Sequence, residues 1–235
     1  MALPQLNSAK YDVVIPSTGK TVTYRPYLVK EEKILMMAME SNDSKMIMKA
    51  TSDVIKACVY DDINIDEMAM FDIETIFIAL RSKSVGETVD LAVKCDDCDS
   101  RNEVQVRFED IKAPVVDEDD ATIMVTDDVG ITLRYPSFND ISNIKEGSAE
   151  TIEGAMQLVT KCITSIFDDN GVYDAKNETK KALTDFVESL NNEQFIKLSN
   201  FFSESPALTY DMDFTCTKCG AKNSQELRGL QSFFT

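Results

Sequence analysis

An α+β fold is predicted for this chain of 235 residues. Segments whose apolar residues alternate with period two occur beside longer amphipathic helical segments, in a similar order in each half of the chain. Two Cys-x-x-Cys pairs, Cys95/Cys98 and Cys216/Cys219, each lie between strand-like segments. The hydrophobic content of 43% is enough for a buried core, and no apolar run approaches the ~20 residues needed to cross a membrane.

The chain is predicted to begin with a β-hairpin followed by a helix. Residues 11–16 and 21–27 are strand-like and flank the turn signal Ser-Thr-Gly-Lys at 17–20. From Val29 the apolar period becomes helical, with Lys30–Lys33 on the polar side. The apolar side is formed by Ile34, Leu35, Met37 and Ala38.

Two more helices are predicted before the first cysteine pair. Segment 41–44 (Ser-Asn-Asp-Ser) offers an N-cap for the second helix, which reaches Cys58. The third helix runs from about Phe71 to Leu80 and is predicted to bury Phe71, Ile73, Ile76, Phe77 and Leu80. Five nearby methionines are interpreted as core-filling residues, with a soft docking surface as the alternative. They are Met36, Met37, Met39, Met46 and Met48.

A hairpin and then an acidic linker are predicted around the first cysteine pair. Apolar residues alternate over 85–93 and 104–108, so two strands flank the cysteines. Stretch 113–128 then combines Pro114 with the acidic run Asp117–Asp120. Clustered carboxylates can bind a divalent metal, but these lack helical or strand spacing, so a solvated linker is predicted.

The second half of the chain repeats elements of the first. Residues 130–136 (GITLRYP) echo residues 19–26 (GKTVTYRP), and a helix-rich stretch is predicted to follow over 141–167. Further amphipathic helices are predicted at 182–190 and 193–202.

The repeat is closest around the cysteines, where residues 74–106 align on residues 195–227 without a gap. The identical pairs are Ser82/Ser203, Ser84/Ser205, Thr88/Thr209, Asp90/Asp211, Cys95/Cys216, Cys98/Cys219 and Asn102/Asn223. We interpret this register as an internal duplication. It predicts a first repeat at 1–112, the linker at 113–128 and a second repeat at 129–235, related by a pseudo-twofold axis at a shared metal.

The paired cysteines are predicted to bind one structural zinc ion. Tetrahedral zinc takes four soft donors, and each hairpin supplies only two thiolates. The sequence contains no His that could complete either pair. We therefore expect Cys95, Cys98, Cys216 and Cys219 to share one ion that joins the two halves.

Three other interpretations of the pairs are weaker. A thioredoxin-like pair needs its first Cys at a helix N-terminus, whereas both pairs lead into polar or strand-like residues. Disulfides are disfavoured because segment 1–6 has neither the basic nor the apolar region of a signal peptide, which predicts folding in a reducing cytosol. Unligated thiols in two matching turns would require coincidence. Cys58 and Cys162 occupy helical apolar positions and are predicted to be core residues.

The composition argues against several functions. With 24 basic and 41 acidic residues, the net charge of −17 repels nucleic acid and anionic lipid. The acidic excess serves solubility or forms a negative face for a basic partner. No catalytic His, nucleophile elbow, phosphate-binding glycine loop or dinucleotide fingerprint is present among only 8 glycines. We therefore predict that the protein is not an enzyme and binds no nucleic acid, membrane or small-molecule substrate.

Two stretches resemble a known family. The segments VIPSTGKTVTYRPYLVKEEKILMMAMES, residues 14–41, and LRSKSVGETVDLAVKCDDC, residues 80–98, are similar to the T4-like phage baseplate hub proteins. Within them the YRP triplet, the VKEEK helix start and the RSKSVGE segment carry the resemblance. All three lie in the first half of the chain.

The resemblance implies a structural or assembly role in a contractile-tail baseplate, without catalytic residues. It implies hub, spike or tape-measure proteins as partners, in the virion and earlier in the host cytoplasm during assembly. Apolar residues near the termini, Leu3, Leu6, Phe233 and Phe234, are predicted to be exposed partner contacts. Two alternatives remain open: a tail assembly chaperone that is absent from the mature virion, and a zinc-ribbon transcription regulator.

Overall fold

The protein is described by a computed structural model, which covers residues 8–41, 43–114, 116, 121–143 and 151–233. The fold is α+β, as predicted. In these ranges the chain forms seven α-helices and ten strands, which are arranged in four small antiparallel sheets. None of the helices in these ranges is long and apolar enough to span a membrane.

The described residues pack into two compact units. The first unit is drawn from Met1–Ile65, Phe71–Val115 and Ala207–Thr235, and the second from Asp66–Met70 and Val116–Pro206. The C-terminal hairpin, which the sequence assigns to the second repeat, therefore packs within the first unit. The predicted repeats describe which segments of the sequence are similar to each other, not which segments pack together, so their boundaries remain a prediction.

The first unit begins with the predicted hairpin. Strand β1 (Tyr11–Val14) pairs antiparallel with β2 (Thr21–Tyr24). Gly19 closes the turn with a φ of 64°, a conformation that glycine adopts without steric cost. Asp72 fixes the same turn, because its buried carboxylate accepts hydrogen bonds from the amide and hydroxyl of Ser17 at 3.0 and 2.6 Å.

Three helices follow, as predicted. They are α1 (Val29–Ser41), α2 (Ser44–Cys58) and α3 (Met70–Ser84). Asp43 caps α2, because its side chain accepts hydrogen bonds from the amides of Lys45 and Met46 in the first turn. The predicted face of α3 is buried at all five apolar positions.

Two hairpins with the same length and register carry the cysteine pairs. Strand β3 (Thr88–Lys94) pairs with β4 (Arg101–Arg107), and β9 (Thr209–Thr215) pairs with β10 (Lys222–Arg228). Each hairpin has seven antiparallel residue pairs. The turn between its strands places both cysteines of a pair at the same end of the hairpin.

The core shared by the hairpins combines residues 78–108 with residues from the C-terminal part of the chain. Its buried members are Ile78, Leu91, Val106, Phe108, Leu208 and Phe233. Lys112 and Thr209 exchange two backbone hydrogen bonds of 2.8 and 3.2 Å, which join the C-terminal hairpin to the chain just after β4. The second cysteine pair is thereby brought beside the first.

The second unit contains a four-stranded antiparallel sheet in chain order. Its strands are β5 (Thr122–Met124), β6 (Gly130–Leu133), β7 (Ile163–Asp168) and β8 (Gly171–Asp174). Strand β5 lies within the stretch predicted to be a linker. The acidic run 117–120 lies outside the described residues.

The second unit has four helices, and the last three of them pack with this sheet around a separate core. The four are α4 (Phe138–Ser142), α5 (Ile152–Cys162), α6 (Lys180–Glu188) and α7 (Asn192–Ser203). The buried members of the core are Val125, Ile131, Leu133, Val159, Ile163, Val187, Leu198 and Phe201. The helices predicted at 182–190 and 193–202 are confirmed. The helical prediction over 141–167 is wrong at its end, because the β-branched sequence after Cys162 forms strand β7.

The core-filling interpretation of the methionines is wrong for four of the five. Met36, Met37, Met39 and Met46 are between 50 and 58% exposed, and Met48 is half-buried. Helix α1 instead buries Ala38 and the charged Glu31. A charged partner for Glu31, described below, overrides the hydrophobic pattern at this helix.

The predicted exposure of the C-terminal aromatic residues is also wrong for Phe233. This side chain is 0% exposed, and it belongs to the core of the first unit. Leu3, Leu6 and Phe234 lie outside the described residues. Phe233 therefore stabilises its own unit rather than offering a partner contact.

Candidate metal centre

The first cysteine pair lies in a tight turn after β3, which we call knuckle 1 (95–100). The amide of Cys95 donates to the carbonyl of Ser100 at 3.0 Å, and the amide of Asp99 donates to the carbonyl of Cys95 at 3.0 Å. Asp99 has a φ of 54°, in the left-handed region that Asp and Asn tolerate better than most residues. These bonds curl the backbone so that Cys95 and Cys98 share one side of the turn.

The second pair lies in an equivalent turn after β9, knuckle 2 (216–221). The amide of Cys216 donates to the carbonyl of Ala221 at 2.8 Å, and that of Gly220 donates to the carbonyl of Cys216 at 2.9 Å. Gly220 has a φ of 76° at the position that Asp99 occupies in knuckle 1. The two turns therefore have the same hydrogen bonds and the same left-handed residue.

The structure brings the four thiols together. The Sγ atoms of Cys95, Cys98, Cys216 and Cys219 all lie within 4.8 Å of one another. Two cross-hairpin distances, from Cys95 to Cys219 and from Cys98 to Cys216, are 3.7 Å. Cys95 and Cys216 are buried, Cys98 is partly exposed and Cys219 is exposed. This cluster is the only group of three or more such ligand side chains found among the described residues.

The thiols differ in their tendency to ionise. The hydroxyl of Ser100, 3.1 Å from Sγ of both Cys98 and Cys216, lowers the pKa of both thiols and brings that of Cys216 to about 5. A backbone amide bond from Ala221 lowers the pKa of Cys219, but the neighbouring thiols outweigh it and raise that pKa to about 12. Four thiolates this close repel one another, so a cation is needed to ionise them all.

Two buried asparagines connect the knuckles. Asn102 and Asn223 follow the knuckles at equivalent places in β4 and β10, and they are 4% and 6% exposed. The side chain of each hydrogen-bonds across to the knuckle of the other hairpin. The sequence alignment matched these residues but did not reveal their role. The sequence did offer one indication of this role: asparagine is depleted in strands, so an asparagine at an inward-facing strand position indicates a specific polar contact.

The two remaining cysteines lie outside the centre, as predicted. Cys58 ends α2 and Cys162 ends α5, and both are buried. Burial raises the pKa of the Cys58 thiol to about 11 and that of Cys162 to about 12, so both stay protonated and inert at neutral pH.

A largely buried arginine side chain, that of Arg25, contacts the end of α2 in the first unit. The amide of Arg25 donates to the carbonyl of Cys58 at 3.0 Å, and its guanidinium donates to the carbonyl of Ala57 at 3.0 Å. The guanidinium also pairs with Glu31 at 2.9 Å, and Glu31 accepts from the amide of Leu28 at 2.9 Å. We call this arrangement an arginine clamp. It explains why a glutamate lies buried in α1.

The second unit contains the same arrangement. The amide of Arg134 donates to the carbonyl of Cys162 at 2.8 Å, and its guanidinium donates to the carbonyl of Lys161 at 3.0 Å. The guanidinium pairs with Asp140 at 2.6 Å, and Asp140 accepts from the amide of Ser137 at 3.0 Å. The clamp of each unit thus joins the strand before a helix to the carbonyls at the end of a later helix.

The comparison with protein families decides the identity of the chain. A family model described as T4 bacteriophage base plate protein matches residues 8–235. The chain belongs to this family. No curated protein and no solved structure matches it. The resemblance in the first half of the sequence is thus confirmed at the level of the family, over nearly the whole chain.

Membership makes this chain a structural component of the phage tail baseplate. Its location in the virion tail and its association with other tail components follow from the family. The four-thiol centre lies within the matched region, so it belongs to the baseplate protein itself.

Proposed function

We propose that this baseplate protein is a hub component whose two cysteine hairpins are joined by one structural zinc ion. Its neighbours would be other hub proteins, the spike or the tape-measure protein. The hub assignment is supported by the resemblance of residues 14–41 and 80–98 to hub proteins. The zinc assignment rests on one observation, the convergence of four thiols from two hairpins.

The thiols fit zinc in number, chemistry and spacing. Four sulfur donors at about 2.3 Å from a tetrahedral ion are separated by about 3.8 Å, and the two cross-hairpin Sγ distances are 3.7 Å. Cys95, Cys98, Cys216 and Cys219 would fill the coordination shell and leave no open position for water. The ion would supply charge neutralisation and a cross-link rather than catalysis.

The cross-link would join distant parts of the chain. Cys98 and Cys216 are 118 positions apart, and the chain-entropy model gives about 4 to 5 kcal/mol for a covalent link that closes a loop of about 100 residues. A metal link acts in the same direction, and its binding is coupled to folding because the thiols must be deprotonated and assembled.

The proposed internal duplication would place the ion between the two cysteine hairpins, one from each repeat. The two knuckles have the same pattern of backbone hydrogen bonds, and the two hairpins have the same register. Each unit also has an arginine clamp between the residue after a strand and the end of a later helix. A pseudo-twofold axis through the centre would relate the two hairpins to each other. One ion then serves both repeats, since neither hairpin has enough ligands alone.

The zinc proposal is tested by metal analysis of the purified full chain. We expect one zinc per wild-type chain, and loss of the metal with lower stability in Cys216→Ser/Cys219→Ser. The control variant Cys58→Ala/Cys162→Ala also removes two thiols and is expected to keep the ion. A metal-free wild type, or two ions per chain, would refute the proposal.

The hub role is tested in purified particles. Quantitative mass spectrometry should find the protein at a fixed copy number, and cross-linking should join it to hub, spike or tape-measure proteins. Absence from mature particles would favour the assembly chaperone instead. Salt-sensitive binding to DNA would favour a zinc-ribbon regulator, which the net charge of −17 opposes.

A further inference from the structure

We propose that Asn102 and Asn223 are positioning residues that form a reciprocal latch between the two knuckles. Each asparagine starts in one hairpin and fixes the first cysteine of the other. The inference rests on the proposed function, since it treats the four thiols as a metal centre. It adds two residues outside the ligand set to that centre.

Asn102 holds knuckle 2. Its Oδ1 accepts hydrogen bonds from the amide and hydroxyl of Thr217 at 2.9 and 3.0 Å. Its Nδ2 donates to the carbonyl of Ser100 at 3.0 Å and to Sγ of Cys216 at 3.7 Å. One side chain thus connects knuckle 1, the backbone of knuckle 2 and a thiol of knuckle 2.

Asn223 makes the mirror set of contacts on knuckle 1. Its Oδ1 accepts from the amide of Asp96 at 2.8 Å. Its Nδ2 donates to the carbonyl of Ala221 at 3.1 Å and to Sγ of Cys95 at 3.6 Å. The orientation of both amides is determined, because the backbone N–H that each one meets requires an oxygen there.

Burial explains why these thiols need the latch. Cys95 and Cys216 are 0% and 2% exposed, so water cannot solvate their thiolates. A buried anion needs hydrogen-bond donors. The amide of Asn223 supplies one to Cys95, and that of Asn102 adds to the Ser100 hydroxyl and the Lys218 amide at Cys216. Cys98 and Cys219 are the more exposed members of their pairs and receive no such contact from either asparagine.

The crossed pattern also ties the hairpins together. The knuckles cannot separate without breaking the bonds from both asparagines. The latch therefore sets the distance between the cysteine pairs as well as the orientation of single thiols. Residues that hydrogen-bond to metal ligands support the site, and their removal typically lowers metal affinity about 10- to 100-fold.

The test uses the full chain with Asn102→Ala, Asn223→Ala and the control Gln105→Ala. The control lies on the same strand as Asn102 and removes an amide that bonds only within its own hairpin, to Asp90. Metal affinity, measured by cobalt titration in competition with a chelator, should fall about 10- to 100-fold in both asparagine variants. It should be unchanged in the control.

Amide hydrogen exchange distinguishes a latch from a general loss of stability. Asn102→Ala should speed exchange of the Thr217 amide across the hairpin interface, and Asn223→Ala should speed that of Asp96. A metal-free wild type would sink the zinc assignment, but this exchange pattern would still decide whether the latch exists.

A third variant tests the acceptor oxygen and the donor nitrogen of the Asn102 amide separately. Asn102→Asp keeps the acceptor for Thr217 and loses the donor to Cys216, so Thr217 should stay protected while metal affinity falls. This variant decides the matter if Asn102→Ala does not fold. Wild-type affinity in Asn102→Ala and Asn223→Ala, or unprotected Thr217 and Asp96 amides in the wild type, would overturn the proposal.

Discussion

Removal of Glu31 is expected to destabilise the first unit far more than a surface glutamate does. The side chain of Glu31 is 3% exposed and that of its partner Arg25 is 14% exposed. Glu31→Ala deletes this ion pair and the bond from the amide of Leu28, while Arg25 keeps its carbonyl contacts. Breaking a buried pair by removing one partner costs about 3 to 5 kcal/mol, so we expect a loss of about 3 kcal/mol.

The second clamp provides an internal comparison. Asp140 is buried, but the side chain of Arg134 is 41% exposed. Water can therefore solvate Arg134 when its partner is removed, and we expect Asp140→Ala to cost less than Glu31→Ala. Glu40→Ala, on the exposed part of α1, is the control and should change stability by less than about 0.5 kcal/mol.

At acid pH the first unit should be about equally stable in Glu31→Ala and in the wild type. Burial acts to raise the pKa of Glu31, but hydrogen bonds from Arg25 and the Leu28 amide outweigh it and lower the pKa below its usual value of 4.5. A lowered folded-state pKa means that the contribution is present above the unfolded-state value and is lost as the pH falls through the folded-state value.

Hydrogen exchange is the appropriate assay because the chain has two compact units and a single two-state free energy does not describe it. Exchange of the Arg25 amide, which bonds to Cys58, reports opening of the clamp. Equal protection of the Arg25 amide in Glu31→Ala and Glu40→Ala would refute the reasoning. A loss of protection in Glu31→Ala that does not depend on pH would also refute it.

Three further predictions concern single side chains. Gly130→Ala should destabilise the second unit, because the added Cβ overlaps the ring of Phe167, and Phe167→Leu should partly restore stability in an unfolding titration. Burial raises the pKa of Glu74 despite a bond from the Leu230 amide, so Glu74→Gln should stabilise the first unit at neutral pH, with a gain that vanishes below pH 4.5. Phe233→Ala should lower the stability of the first unit by about 3 to 5 kcal/mol, measured by hydrogen exchange on the chain purified alone, and a loss seen only in assembled baseplates would contradict its placement in the core.

Local patterns predicted much of the fold. Period-two alternation located the hairpins at both cysteine pairs, and helical spacing located α3 with its five buried residues. Hydrophobic periodicity failed at α1, where an ion pair with Arg25 buries Glu31 and leaves Met36 and Met37 exposed. Such a partner lies in another element, so the period of one helix carries no sign of it.

The four thiols of the candidate centre could be predicted from the sequence, but the contacts that support them could not. Cysteine spacing and the duplicated register placed the four thiols in one site, and the structure brings them together. The bonds of Asn102 reach Thr217, 115 positions away. Only the packing of the two hairpins creates that contact, so spacing along either strand cannot predict it. The buried position of Phe233 was missed for the same reason, since its core neighbours come from α3 and β3–β4.

The discontinuity of the first unit has a consequence for its biosynthesis. Residues 116–206, which belong to the second unit, are translated before the hairpin at 207–235 that completes the first. At about 5–20 residues per second, the ribosome takes about 5 to 18 s to make these roughly 90 residues. During this interval the nascent first unit lacks Leu208 and Phe233 from its core and two of the four thiols. The core of the first unit can therefore close only after residues 207–233 have been made, and a ribosome that stops before them releases a chain with an open core that cellular proteases can remove before it enters a baseplate.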